Sequence, residues 1–523
     1  MTKYIKLPRS SLIYRMVENL APPQKNGIED VHKAILDRLR RYSASSIADL
    51  ALEILWNPPG DLAEEVRSAP WLTLLLVKWA MQDKHVSLRV GRQIPLEEFD
   101  QLRQDLWALQ DRLAKQPNPL LMVRSVMHAQ IEFQRKETLA FMRWPALYAK
   151  LAPGTKNRMQ FREIMGIEPE AYIDLTYVLQ TFVLNGQKFF GKDPLIHWRK
   201  TYGKDVDQIY SLFARDLPSL RHEMQTDTAQ RIRGLQEVFE FPYLRRFPFL
   251  RSRDGGLHCW HRLVFARGIE DSVHLRLSSL KNNYTNEFSR VFEKYVTDLA
   301  IECKQPILDE ASYKELLGGG APTVEAIIEG DDCNIFIEAK MSLFADDILL
   351  QDSPIAIYNK TKIIRGAIKQ GWKVGNLIRK PSSGFGTRFQ VKQDYLIVVT
   401  SRELNLSNGK FLKQLYAPGV FEYPDAEAEH HLPLSNVFIL SIEDYERTMG
   451  CLLKNEINFS HVLKEAVLSN QNAGMGRLHF SDFIRKYTTS WAVPQLIAEA
   501  SRDSLKRIVE GLGGMQNELT NLS

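Results

Sequence analysis

T-V-E-A-I-I-E-G-D-D-C-N-I-F-I-E-A-K, residues 323–340, is the stretch whose reading decides the fold. Two apolar, β-branched runs, 324–328 and 335–339, flank Glu329-Gly330-Asp331-Asp332, which has the composition of a turn, so the segment reads as a hairpin. Alternate residues of a strand share a face about 6.6 Å apart. Glu338 and Lys340 therefore project together, while Ile335, Ile337 and Ala339 pack on the other side. Glu325, on the preceding strand, can face the same side as Glu338. Two carboxylates and an ammonium on adjacent strands supply hard oxygen ligands for Mg²⁺ and a cation able to orient a water. These are the parts of a phosphodiesterase site.

A Glu-x-Lys triplet arises by chance roughly twice in a chain of this size, and Glu302-Cys303-Lys304 is a second instance. Context separates the two. Glu302 closes an amphipathic helical pattern, whereas Glu338 ends an apolar strand that follows another acid-bearing strand.

The chain has 523 residues, enough for two or three domains, and is 44% hydrophobic and 25% charged, as expected of a globular protein. Its longest apolar run, 71–81, contains Lys78 and falls short of the ~20 residues of a spanning helix, so it reads as a buried helix and no membrane partner is expected. Residues 1–10 carry neither a sustained apolar segment nor a small-residue cleavage site, which points to the cytoplasm. Cys259, Cys303, Cys333 and Cys451 lack C-x-x-C spacing and predict neither a disulfide framework nor a zinc finger. No phosphate-binding G-x-x-x-x-G-K-[ST] loop, H-E-x-x-H or G-x-S-x-G is present, so ATPase, zinc-protease and α/β-hydrolase chemistry lack their parts.

Residues 1–235 show helical spacing throughout and predict an all-helical domain with a regulatory, partner-binding or substrate-binding role. Phe99, Leu102, Leu106, Leu109 and Leu113 form one stripe that could receive a partner helix, although packing within its own domain is the simpler reading. The character changes near Phe239, where prolines and aromatics interleave with Arg245, Arg246, Arg251, Arg253, Arg262 and Arg267 around an Asp254-Gly255 hairpin signal. We place a domain boundary there, expect a second domain over 236–455, and read 456–523 as a helical C-terminal segment. The arginines, with Tyr243, Phe247 and Trp260, suit either a phosphate-contacting surface or a solvated hairpin rim.

Within the second domain, 284–302 reads as a helix and 395–400 as a buried strand. Between them, 354–393 carries nine Lys or Arg residues and no Asp or Glu. Lys362, Arg365 and Lys369 recur at three- and four-residue steps, with Lys373 four further on. Like charges so placed repel, so the clustering points to an anionic partner such as nucleic acid.

The order α-β-β-β-α-β, with Pro322, Glu325, Glu338 and Lys340 on its hairpin, resembles the PD-(D/E)xK nuclease superfamily over about residues 284–400. The resemblance implies a restriction-endonuclease-like α/β domain with a mixed central sheet. It also implies a nuclease dependent on Mg²⁺ or Mn²⁺, with the ion held by Glu325, Glu338 and the carbonyl of Ala339, and Lys340 at the attacking water. Glu293 matches the helix glutamate that often stands near the metal in this superfamily, with Glu287 a weaker match, and Gln370 or Lys369 matches a supporting position on the later helix. Lys362, Arg365, Lys369 and Lys373 would hold the strand. DNA is the expected substrate because the resembling families mostly cut DNA, and the two-part architecture suggests an effector of prokaryotic defence. Two alternatives stand beside this reading: a nucleic-acid-binding scaffold that has lost its chemistry, motivated by Glu325 standing where the superfamily usually has Asp, and a helical adaptor whose α/β domain binds only protein.

Overall fold

The computed structural model describes the chain from Asn26 to Leu512, except for residues 58–68, 114–119, 122–123, 125–132, 134–139, 228–233, 278–281, 318–320, 331, 342–353, 381–382, 386–387, 390–391, 424–430 and 473–475. Asp331 of the expected turn lies outside the described residues. The described residues form two compact units, one of 26–277 with 500–512 and the other of 282–499.

The first unit is mainly helical. It begins with α1 (Asn26–Leu39), α2 (Ala44–Trp56), α3 (Pro70–Gln82) and α4 (Leu96–Leu113). Ser43 caps α2 by accepting the Ser46 N–H at 3.2 Å. From Pro70 to Met81, α3 is buried on every side, including Lys78, whose ammonium lies 3.2 Å from the Glu237 carboxylate. A lysine is buried at this depth only when paired. In α4, Phe99, Leu102, Leu106 and Leu109 are buried in the packing with α1 and α3, and Arg38 bonds Glu98 (2.8 Å) and Asp105 (2.5 Å). The stripe is filled from within its own unit. No helix among the described residues is long and apolar enough to cross a membrane, and all four cysteines are free and buried.

This unit also holds a sheet, so the expectation of an all-helical region is corrected. Its strands are β1 (Phe189–Phe190), β2 (Ala214–Asp216), β3 (Phe249–Arg251) and β4 (Leu257–Cys259), in the order β1-β4-β3-β2. Strands of two or three residues are too short to show a period of two. Asp254-Gly255 does turn the β3–β4 hairpin, with Gly255 at φ 90°, and the hairpin pairs with β1 and β2. The contact boundary consequently falls at Ser279/Leu280, about forty residues after the composition change near Phe239. Tyr243, Phe247 and Trp260 are buried, Arg245 pairs with Asp271 (3.2 Å) and Arg246 with Asp227 (3.1 Å). The three aromatic rings are core there and form no part of a phosphate-contacting surface or a solvated rim.

The second unit is built on one mixed sheet: β5 (Ile307–Asp309), β6 (Ala326–Glu329), β7 (Cys333–Lys340), β8 (Gln393–Thr400) and β9 (Val437–Ser441), hydrogen-bonded in that order. β5, β6 and β7 are antiparallel, whereas β7, β8 and β9 are parallel. A parallel step needs a crossover, and α9 (Pro354–Lys360) and α10 (Lys362–Ile378) lie between β7 and β8. α7 (Asn282–Glu302) packs on β5, β6 and β7, and α12 (Ile442–Leu453) on β8 and β9; here α5 is Pro169–Leu184, α6 Arg262–Leu277, α8 Glu310–Leu317 and α11 Gly409–Leu415. Tyr295 donates to Glu446 (2.6 Å) and Tyr445 to the Val296 carbonyl (3.1 Å), which ties α7 to α12.

α10 approaches the sheet closely. A Cβ at Gly371 would stand 2.9 Å from Leu396 Cδ2, and one at Gly375 would stand 2.7 Å from Asp394 Oδ2 and 3.3 Å from Phe336. Only glycine permits this spacing. Strand alternation puts Asn334, Phe336, Glu338 and Lys340 on one face of β7, so α10 covers the face that carries Glu338.

Candidate metal centre

The register that sets Ala326 opposite Ile337 brings Glu325, at the entry to β6, across from Glu338. The Glu325 N–H bonds the carbonyl of Ile337 (2.9 Å), one residue off the regular ladder, and its carbonyl accepts from the Glu310 N–H (3.0 Å). Side chains fix the approach as well. The Tyr313 hydroxyl bonds both the N–H and the carbonyl of Val324, Gln370 Nε2 donates to the Thr323 carbonyl, and the Thr323 hydroxyl donates to Glu310.

Glu338 is fully buried and the Lys340 side chain is 21% exposed, with its ammonium against Glu338 Oε1. Burial, and then the facing Glu338 carboxylate, push the Glu325 carboxyl far above the usual range. Burial likewise raises Glu338, against the pull of Lys340. Burial alone would depress the Lys340 ammonium, but Glu338, Glu325 and Glu293 outweigh it and hold it above its usual value. Glu293, on α7, is raised by burial and lowered in part by Lys340. The four residues thus share one electrostatic neighbourhood.

Three buried carboxylate oxygens, Glu325 Oε2 and both of Glu338, lack a well-formed hydrogen bond, while the Lys340 ammonium forms an ion pair with Glu338 Oε1. Buried carboxylate oxygens are ordinarily satisfied. Two facing buried carboxyls whose oxygens lack well-formed hydrogen bonds, beside a single ammonium, have the hard-oxygen chemistry that suits a divalent cation of the Mg²⁺ or Mn²⁺ kind. The second Glu-x-Lys differs: Glu302 Oε1 accepts the Leu496 N–H (2.8 Å) at the start of α13 (Gln495–Gly511), and Lys304 turns at φ 58°.

The basic run separates into two sets. Lys362, Lys369 and Lys373 are exposed on α10, as is Lys380 just beyond it. Arg365 is folded back, its guanidinium 3.4 Å from the Tyr358 ring centre and donating to the Tyr358 carbonyl (3.0 Å). Arg379 makes two bonds to Asp394 (2.5 and 2.7 Å), and Arg388 and Lys392 pair with Glu329 (2.6 and 2.9 Å). Counting charges along the run includes these three because their acids lie outside it, at 329 and 394.

A further group escaped the sequence reading. Ligand-type atoms of Glu403, Asp444 and His479 lie within 4.8 Å of one another, a mixed oxygen and nitrogen set that could hold a metal ion. His479 Nδ1 is 3.3 Å from Glu403 Oε2, and Glu403 Oε1 accepts the N–H groups of Leu404 (2.9 Å) and Asn405 (2.6 Å). Positions 403, 444 and 479 follow no ligand spacing that a sequence motif records. No family model, curated protein or solved structure matches the chain.

Proposed function

We propose that residues 280–499 act as a divalent-cation-dependent nuclease of the PD-(D/E)xK type, hydrolysing phosphodiester bonds of DNA. One observation carries the reading: Glu325 and Glu338 meet across β6 and β7 with three buried oxygens that lack a well-formed hydrogen bond, and the Lys340 ammonium pairs with one of them. The succession α7, β5, α8, β6, β7, α9, α10, β8, with an antiparallel hairpin followed by a parallel strand, supports it, although α8 interrupts the expected run of three strands.

Glu325, Glu338 and the carbonyl of Ala339 would hold the cation, which when bound supplies Lewis-acid neutralisation of the scissile phosphate and acidifies a water. Lys340, kept protonated by the surrounding carboxylates, serves as a fixed cation that orients the attacking water and meets charge building on the phosphate. It is a poor base in that state. Glu293 adds a third carboxylate from α7, suited to receive hydrogen bonds from water around the site. The clamp on residues 323 and 324 by Tyr313, Gln370 and Glu310 fixes where the Glu325 carboxylate enters.

Incubation of plasmid and single-stranded DNA with Mg²⁺ or Mn²⁺, beside Glu338→Ala and Lys340→Ala, tests the reading. Cleavage by the parent that falls by about three orders of magnitude in Glu338→Ala is expected; equal cleavage by parent and variant overturns it. A scaffold without chemistry is favoured by one contact, the Lys340 ammonium already set against Glu338 Oε1. Salt-sensitive binding with no cutting by the parent would establish that second reading.

A further inference from the structure

The four lysines Lys362, Lys369, Lys373 and Lys380 are exposed, and they are not among the basic residues tied to Tyr358, Asp394 or Glu329. At 100° per residue the three on α10 fall within an arc of about 40°, and from Lys362 to Lys380 the row runs for roughly 27 Å. The opposite side of α10 is apolar and buried on the sheet through Ile364, Ile368, Val374 and Ile378. Charges at i and i+4, as at Lys369 and Lys373, repel one another in an isolated helix. A straight line of unpaired cations on a helix otherwise anchored by its back is complementary to a line of phosphates.

The geometry points to an extended single strand of nucleic acid, bound along this row through its phosphates, as the substrate form that the protein takes up. The inference rests on the nuclease reading and specifies its substrate class. In a duplex each strand completes a turn in about 10 base pairs, so a phosphate row curves away from a straight line of this length after a few nucleotides. Inserted in a major groove about 12 Å wide, the lysines would point at base edges and not at the phosphate rows on either side. A cationic line on the flank would be needed to reach those rows, and the one arginine there, Arg365, is stacked on Tyr358. An extended single strand can follow a straight row. The one aromatic residue of α10, Trp372, is half-buried, so base stacking adds little and recognition is of the backbone, independent of sequence. The same helix is tied to the approach to the acidic pair: next to Lys369, Gln370 donates to the carbonyl of Thr323, two residues before Glu325.

The test is fluorescence anisotropy of full-length Glu338→Gln in EDTA, with a labelled oligothymidine of about 20 nucleotides and a duplex of equal length, titrated across KCl concentrations. The oligothymidine is expected to bind about ten-fold more tightly than the duplex, with log K falling against log salt at a slope near −3, about 0.7 for each of four lysines. Changing all four lysines to Ala removes most of that slope, whereas Arg365→Ala leaves it in place. Lys380→Glu, outside the helix, serves if the quadruple variant melts early, and is expected to weaken binding several-fold. Duplex binding equal to or tighter than single-strand binding, or an unchanged slope in the lysine variants, overturns the inference. Anionic phospholipid vesicles bound in preference to the oligonucleotide do so too. Because no metal or cleavage enters this measurement, binding as expected by a parent enzyme that fails to cut sinks the nuclease reading alone.

Discussion

Asp394 and Glu338 are both fully buried carboxylates on the α10 side of neighbouring strands, yet they are finished differently. Asp394 receives two bonds from Arg379 and a third from Asn334 Nδ2 (2.9 Å). Glu338, about 13 Å further along the sheet at four residues of strand, has the Lys340 ammonium against Oε1 and no well-formed hydrogen bond on either oxygen. The same fold, and the same face of it, supplies a complete set of partners to one acid and withholds it from the other. A buried carboxyl whose neighbours are one ammonium and a second carboxyl is less completely satisfied than one held by two guanidinium bonds and an amide.

The comparison can be broken at the Asp394 end first. Arg379→Met leaves the buried Asp394 charge without its cation and should lower the unfolding free energy by about 3–5 kcal/mol in urea denaturation; a loss under about 1 kcal/mol would mean that the two acids are not so different. At the other end, Mg²⁺ at about a hundred times its dissociation constant should stabilise the parent by about 2.7 kcal/mol and leave Glu338→Gln unmoved. Equal thermal shifts in both proteins would remove Glu338 from the site.

The pH dependence is smaller and has a definite sign. Because the Glu325 carboxyl is raised in the folded protein, the folded state holds that proton more tightly than the unfolded chain. Its contribution is therefore fully present below the ordinary glutamate value near 4.3 and is lost as the pH rises from there toward the raised folded value. In EDTA, melting curves should show stability falling above about pH 5, at up to about 1.4 kcal/mol per pH unit for one proton. Glu325→Gln should flatten that fall, and a flat profile in the parent would show that the carboxyls do not face one another. Smallest is Arg365→Ala, which gives up the stacking on Tyr358 and should cost about 1 kcal/mol or less of stability, measured by the same denaturation.

Much of the sheet unit was legible because it is built from long, strongly patterned elements. The hairpin, the helix read over 284–302 and the strand read at 395–400 announce themselves by apolar runs of the right length, and the structure extends the helix back to Asn282 and the strand back to Gln393. The strand starts two residues later than the apolar run, since Val324 is apolar because its side chain is buried, while its backbone is held by Tyr313 and not by β7. Short strands were not legible at all, because Phe189–Phe190 and Ala214–Asp216 have no room for alternation. At the site, Glu325, Glu338 and Lys340 could be placed together from strand parity alone. Which cations of the basic run are occupied could not, because that depends on Glu329 and Asp394, acids that the window from 354 to 393 leaves out. Glu403, Asp444 and His479 meet only through the tertiary fold.

The two glycines under α10 bear on how faithfully the molecule can keep its dimensions. At Gly371 and Gly375 the helix backbone lies directly on the ends of the Leu396 and Asp394 side chains, so its seat can yield only as far as those tips move. The depth of its outer charges above the β-sheet is then held within that travel, much as a rail bolted to its bed cannot sag. Adding a single methyl at Gly371 would act as a shim, lifting every ammonium on the far side together while leaving the acids beneath where they were.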